Sequence, residues 1–399
     1  MATLDTKGEE VNYLRGVIET YGIKTAVIDC SLLGEPKCEY DISRQQVLEE
    51  INKTEEDIRK ATKNQAVEWM KKALCSKLRH LSDQGLIKGV ISVGGVQGTV
   101  VATYAMQALP VGVPKFMVST VANGNSTFGP FIGTSDMVMM HSVVDISGLN
   151  FLLKKILTMA AGGICGMVKA VSAYNSDRAT QIVGITMGGV TTPCVTKIKE
   201  LLESRGIEVI VFHCNGIGAR SMENLVEEGI ITAVLDITPH DVTDLLNEGL
   251  MPAYTDRYEK IAHKGVPVIF VPGCADIILY NGEHKIPEDK KDRKYVKHNE
   301  IHTHVKANYE EMYELGQYVF NRLKQASGKV KIIIPKKGFS QMNYPEGPLY
   351  APEWDQGFID AVTEQAAAGI GVVLTEDHIN DDSFAQTCVR EFLEMMEEV

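Results

Sequence analysis

The sequence has no Cys-x-x-Cys pair, no long basic block and no uninterrupted apolar run of membrane length. Its eight cysteines, Cys30, Cys38, Cys75, Cys165, Cys194, Cys214, Cys274 and Cys388, are scattered. That spacing indicates neither a disulfide framework nor a zinc site, and it suits a reducing, cytoplasmic compartment. The longest weakly polar stretch, 156–168, follows Lys154 and Lys155 and falls short of the roughly 20 residues a spanning helix needs. No signal peptide and no membrane partner are expected. A net charge of −12 without a basic stripe argues against nucleic acid as a partner. G-x-S-x-G, protein-kinase and H-E-x-x-H patterns are missing too, so covalent hydrolase chemistry has no motif support.

What the chain does have is 399 residues with 44% apolar content, enough for two cores rather than one. Short β-branched runs alternate with helix-period segments in both halves, which predicts an α/β fold with parallel sheets. The first half reads as strands at 25–31, 89–93, 115–120 and 137–141, with helices near 8–21, 54–82, 99–108 and 148–172. The last of these carries Ala160-Ala161-Gly162-Gly163 and is expected to be buried. A second series follows the polar segment 174–178: strands at 182–187, 208–213, 233–237, 266–272, 330–335 and 371–375. The expected domains are therefore 1–177 and 178–399. Only four residues precede Asp5-Thr6-Lys7, where a parallel strand would need five or six. Either the first strand is very short or the start lies upstream of Met1. The charged stretch 283–306 reads as a lid or a surface excursion.

The densest chemical signal is Gly94-Gly95-Val96-Gln97-Gly98-Thr99, between an apolar run and a helix start. Glycine lets backbone approach a ligand, and the free N–H groups of a first helical turn attract anions, phosphate above all. A tight structural turn is the plainer alternative. Asp5-Thr6-Lys7-Gly8-Glu9 reads as a capping box, Thr6 with Glu9, to which Lys7 would add a phosphate-facing cation. Asp29, about one helix further on, stands where an acid accepts from ribose hydroxyls in doubly wound folds, or where a strand-end Asp is simply solvated. Ser119, Thr120, Ala122, Asn123 and Gly124 would line the same sheet edge. In the second half His213, Asp236 and Asp276 sit at strand ends as candidate acid/base groups without identified partners. His298, His302 and His304 form a local cluster, weighed as metal ligands against a solvated polar stretch, with no metal expected because convergent acids are missing.

With these segments in view, the chain resembles the Tm-1-like ATP-binding family, also known as the uncharacterised family UPF0261. The resemblance rests on Asp5-Thr6-Lys7-Gly8-Glu9, Met106 to Lys115, Val118-Ser119-Thr120-Val121-Ala122, Gly133-Thr134-Ser135-Asp136, Gly188 to Pro193, Val234 to Thr238 and His378-Ile379-Asn380-Asp381. Val96-Gln97 departs from the small pair usual in the family's glycine loop. The resemblance implies two Rossmann-like domains facing across a cleft, each with a mostly parallel sheet flanked by helices. It also implies a homodimer, and ATP with Mg held by N-terminal loops, carried onto Asp5–Glu9, Gly94–Thr99 and the loop after Thr120. The expected function is ATP binding, with an ATP-dependent enzyme acting on a small metabolite in the cleft as one form. A regulatory module without turnover and a nucleotide-sugar enzyme are the alternatives, and no catalytic residue is assigned.

Overall fold

The computed structural model describes residues 1–125, 127–174, 181–365 and 370–397. Two compact units divide the chain, Met1–Ser176 and Asp177–Val399. Residues 175–178, on which the expected domain boundary falls, lie outside the described residues.

In the N-terminal unit, α1 (Leu4–Thr20), α2 (Arg44–Leu48), α3 (Glu55–Lys60) and α4 (Lys63–Asp83) precede β1 (Val90–Gly94). Then come α5 (Val96–Met106), β2 (Lys115–Ser119), α6 (Gly129–Ile132), β3 (Met137–His141) and α7 (Phe151–Ala173). The strands pair in parallel in the order β1-β2-β3, with Val90 opposite Lys115 and Lys115 opposite Met137. Neighbouring residues on a strand face opposite ways, and β2 uses both faces. Met117 packs into a core with Leu74, Val101 and Ala105 of α4 and α5, while Phe116 and Val118 join Leu14 of α1 and Leu157 of α7. The result is a parallel sheet covered by helices on both sides. Lys115, fully buried at the start of β2, is satisfied by Asp136 at 2.6 Å and by the carbonyls of Pro110 and Val113.

Three expectations change here. Residues 25–31 form no full strand but single parallel bridges, Ala2 to Asp29 and Ile28 to Ile42, because only Met1–Leu4 lies alongside to pair with them. The helix expected over 54–82 is two, since Thr62 turns out of the helix (ψ 156°) and opens α4 with a Thr62–Gln65 capping box. Finally, α7 buries one face only: Leu153, Leu157, Ala160 and Ala161 are inside, whereas Phe151, Met159 and Val171 are exposed. By length and composition alone this helix could cross a membrane, yet its inner stripe packs against α1 and β2.

The C-terminal unit runs β4 (Ile182–Met187), α8 (Thr192–Glu203), β5 (Glu208–His213), α9 (Ile217–Glu227), β6 (Ala233–Asp236), α10 (His240–Leu246), α11 (Glu259–Lys264) and β7 (Val268–Phe270). It continues with β8 (Ile277–Tyr280), β9 (Tyr295–Lys297), β10 (Thr303–Lys306), α12 (Tyr309–Leu323), β11 (Val330–Pro335), α13 (Pro352–Thr363), β12 (Gly371–Thr375) and α14 (Asp382–Glu397). Six parallel strands lie in the order β12-β11-β7-β6-β4-β5. Cys194, Ile198, Phe384 and Phe392 of α8 and α14 cover one face, and Met222, Leu315, Val319 and Phe358 of α9, α12 and α13 the other. In the second half of the charged stretch 283–306, β9 and β10 pair with β8 in a separate antiparallel sheet, β8-β10-β9.

Candidate functional site

The glycine loop ends β1 and opens α5 with Gly95 as its N-cap, which has no side chain to satisfy the first turn. The first helical bond is Thr99 N–H to the Gly95 carbonyl, 2.8 Å, so the N–H groups of Val96, Gln97 and Gly98 point out of the helix end without intrahelical acceptors. Gly94 is favoured by close approach: a Cβ there would stand 3.1 Å from Gly98 Cα, tighter than an ordinary contact. At Gly98 itself a Cβ would meet nothing within 4 Å.

That helix end borders a cavity of about 540 Å³, which also takes in Thr3, Asp5, Thr6 and Lys7 from the start of α1. The two glycine- and acid-bearing motifs, some 90 residues apart, thus share one site. Its remaining wall was not read from the sequence: Leu32, Leu33, Ile58 and Ala66 are apolar, and Arg59 and Lys63 are basic. Both cations flank the break between α3 and α4. The Thr62-x-x-Gln65 pattern was the signal that could have found that break, and with it this wall. Lys7, Arg59 and Lys63 give three bases against one lining carboxylate, Asp5, whose Oδ1 is buried without a hydrogen-bond partner. An anion fits this charge balance, and a donor such as a hydroxyl or a metal-bound water fits Asp5 Oδ1.

Several expected roles are revised. Thr6 does not cap a helix with Glu9; α1 begins at Leu4 with Thr3 at its N-cap, and Thr6 Oγ1 turns back to Thr3. The chain leaves helical geometry at Lys7 (φ −123°, ψ 15°), whose ammonium donates to the Ile146 carbonyl. Asp29 is not solvated: it is 2% exposed and accepts from Ser31 N–H (2.9 Å) and Ser31 Oγ (2.6 Å). Ser31 Oγ in turn accepts from Asp5 N–H at 3.0 Å, so Asp29 supports the cavity wall without lining it. Thr99 and Ser119 are buried under the loop, 2.6 Å apart, with Thr99 Oγ1 donating to the Gly95 carbonyl. Gly8, Glu9, Gly94, Thr120, Ala122, Asn123 and Gly124 do not line the cavity. Asn123 instead closes its own turn, donating to the Thr120 carbonyl and accepting from Asn125 N–H.

In the C-terminal unit the strand-end acids Asp236 and Asp276 are buried and held by neighbouring side chains, with Asp276 Oδ1 left without a hydrogen-bond partner. Asp236 accepts from Thr186 Oγ1 (2.6 Å), Arg257 Nη2 (2.7 Å) and Tyr258 OH (2.8 Å). Asp276 accepts from Lys306 at 3.2 Å and Ser340 at 3.1 Å, and Lys306 also pairs with Asp355, whose carboxyl burial pushes up to about 6 against the pull of Lys306. His213 is exposed at the end of β5. All eight cysteines are free, and burial pushes the Cys30 thiol up to about 12, so it is not a ready thiolate.

Among the described residues no group of three or more His, Cys, Asp or Glu could hold a metal ion. His298 and His304 instead stack, ring centroids 5.1 Å apart, and His304 Nδ1 is buried without a partner. Burial, together with His240, His298 and His302 and against Asp276, pushes His304 down to about 4. The native state therefore refuses a proton that the unfolded chain accepts near pH 6.5. Stability from this site is complete above pH 6.5 and is lost as pH falls toward 4, by up to about 1.4 kcal/mol per pH unit. Urea unfolding from pH 7.5 to 4.5 should show this slope in the wild type and its reduction in His304→Gln.

The N-terminal domain model of an uncharacterised protein family, UPF0261, matches residues 1–173, and the C-terminal domain model of the same family matches 180–396. A UPF0261 protein of Clostridium tetani is 37% identical over 399 residues, covering 100% of this chain and 98% of that protein. UPF0261 protein mlr3387 of Mesorhizobium japonicum is 34% identical over 99% of this chain and 98% of its own length. The ToMV resistance protein Tm-1(GCR237) of Solanum lycopersicum is 35% identical over 83% of this chain, which spans only 44% of the tomato protein.

Proposed function

The chain belongs to the UPF0261 family, and from that premise we propose that its N-terminal unit binds ATP with Mg²⁺ in the cavity bordered by Asp5–Lys7 and Gly95–Gly98. The observation that carries this reading is the convergence on one cavity of an uncapped helix N-terminus, three basic side chains and an apolar wall. The free N–H groups of α5 suit phosphate oxygens. Arg59 and Lys63 supply charge at the rim, and Leu32, Leu33 and Ile58 supply a surface for a base. Asp5 would receive a magnesium-bound water or a ribose hydroxyl. A strand, a glycine turn and a helix on a parallel sheet covered on both faces support a Rossmann-like description of this unit.

Binding without turnover is favoured over catalysis by one feature: the cavity lining holds a single carboxylate and no imidazole, where phosphoryl transfer calls for a group that orients or deprotonates the nucleophile. Isothermal titration with ATP and Mg²⁺ is expected to give saturable binding that weakens as salt rises. Arg59→Ala with Lys63→Ala should lower affinity tenfold or more, since a hydrogen bond to a charged group contributes about 1.5–3 kcal/mol. Absence of binding at millimolar nucleotide would refute the proposal. Phosphate release sustained over hours and lost in the double variant would replace the binding reading with catalysis.

A further inference from the structure

A second cavity in the N-terminal unit, about 470 Å³, runs between two stretches of backbone, residues 23–28 and 86–93. Val11, Leu14 and Ile18 of α1 close it from one side, Leu78 and Leu81 of α4 border it as well, and Met1 stands at its end. We propose that this slot seats one more parallel β-strand, an apolar segment of about five residues joined directly to the amino end of Met1 in the working polypeptide.

Four observations converge on that assignment. First, a stub of the strand is in place: Ala2 N–H donates to the Ile28 carbonyl (3.3 Å), Cys30 N–H donates to the Ala2 carbonyl (2.9 Å), and the Met1 amine donates to the Ile91 carbonyl (3.1 Å). Met1 and Ala2 therefore already bridge the two walls with the pairing of a central strand. Second, β1 is the edge of its sheet, and among the described residues the backbone of Lys24 and Ala26 makes no hydrogen bond. Open strand edges with an apolar gap between them are what a missing strand leaves. Third, the Met1 ammonium is buried, and desolvation lowers its pKa. A peptide N–H would make the same bond to Ile91 without placing a charge in an apolar slot. Fourth, the length fits: backing up from Ile28 to Ile23 takes five residues, or about 16 Å at roughly 3.3 Å per residue.

Helices lie on both faces of this sheet, so the segment is expected to be apolar at successive positions rather than alternating. It would lead straight into Thr3–Lys7 and stiffen that wall of the first cavity, but the inference stands on the slot alone and not on nucleotide binding.

The test compares the 399-residue chain with the same chain carrying a Val/Ile pentapeptide fused before Met1, and with a fused control containing two prolines. The Val/Ile extension is expected to raise the melting temperature by at least 5 °C, to abolish binding of an apolar dye, and to slow amide exchange at Lys24, Ala26 and Ile91 at least tenfold. The proline control should leave all three at the values of the unextended chain. Equal behaviour of the two extensions would overturn the proposal. So would protection by the pentapeptide added as a separate molecule but not when fused. Mass spectrometry of the protein from its own cells should find residues before Met1, and an intact native end at Met1 would contradict the assignment.

Discussion

Arg257→Met is expected to lower the unfolding free energy of the C-terminal unit by about 3–5 kcal/mol, the range for removing one partner from a buried ionic network. Arg257 is 2% exposed and pairs with Glu223 (2.5 Å) and Asp236 (2.7 Å), with Asp241 at 3.5 Å. Methionine keeps an unbranched apolar stem in place of the arginine's but ends short of the guanidinium, leaving three buried carboxylates facing one another. Burial already pushes Glu223 and Asp241 up, against the pull of Arg257. Without the guanidinium they rise further and fold only with protons bound. The loss should therefore be largest near neutral pH and shrink as pH falls toward the ordinary carboxylate range. Tyr258, held at φ 75° by its N–H to Glu223 and its hydroxyl to Asp236, is expected to loosen with it. Urea midpoints at pH 7.5 and 4.5 check both statements. A deficit that does not depend on pH would mean that packing, not charge, is what Arg257 contributes.

Gly98→Glu is expected to abolish ATP binding, by at least 100-fold, while the protein stays folded. The new Cβ meets nothing within 4 Å, and Gly98 lies in the first turn of α5. Replacing glycine in a helix contributes up to about 1 kcal/mol of propensity, and an acid in the first turn suits the helix dipole. The same carboxylate projects a negative charge where the proposed phosphates would lie. Binding and stability thus move in opposite directions, which a merely disrupted fold cannot imitate. Gly98→Ala should share the stabilisation and keep most of the affinity. Thermal melting beside titration of each variant separates the two effects.

Much of the fold could be read from pattern because its strands are short β-branched runs bounded by polar or glycine residues. Residues 137–141, 182–187, 208–213, 330–335 and 371–375 are strands with the expected bounds. Where pairing rather than pattern decides, the reading fell short: 25–31 carries a strand composition but has almost nothing alongside to pair with. The antiparallel sheet of β8, β9 and β10 was hidden for the opposite reason, as exposed charged residues on β9 and the loop before it mask a period of two. At the site, local chemistry pointed to Asp5–Lys7 and Gly95–Gly98, but Arg59 and Lys63 come from a helix break whose capping signal was overlooked. Asp236 and Asp276 looked like cleft carboxylates because their partners, Arg257 and Lys306, lie 21 and 30 residues further along the chain.

Hydrogen exchange of the whole chain with and without ATP and Mg²⁺ tests the central claim most directly. Nucleotide is expected to slow exchange at Asp5–Lys7 and at the first turn of α5, Val96–Thr99, with the amides around Arg59 and Lys63 following and the C-terminal unit unchanged. Binding that protects only the C-terminal unit, or that leaves the amides of Val96, Gln97 and Gly98 exchanging as before, would contradict the account.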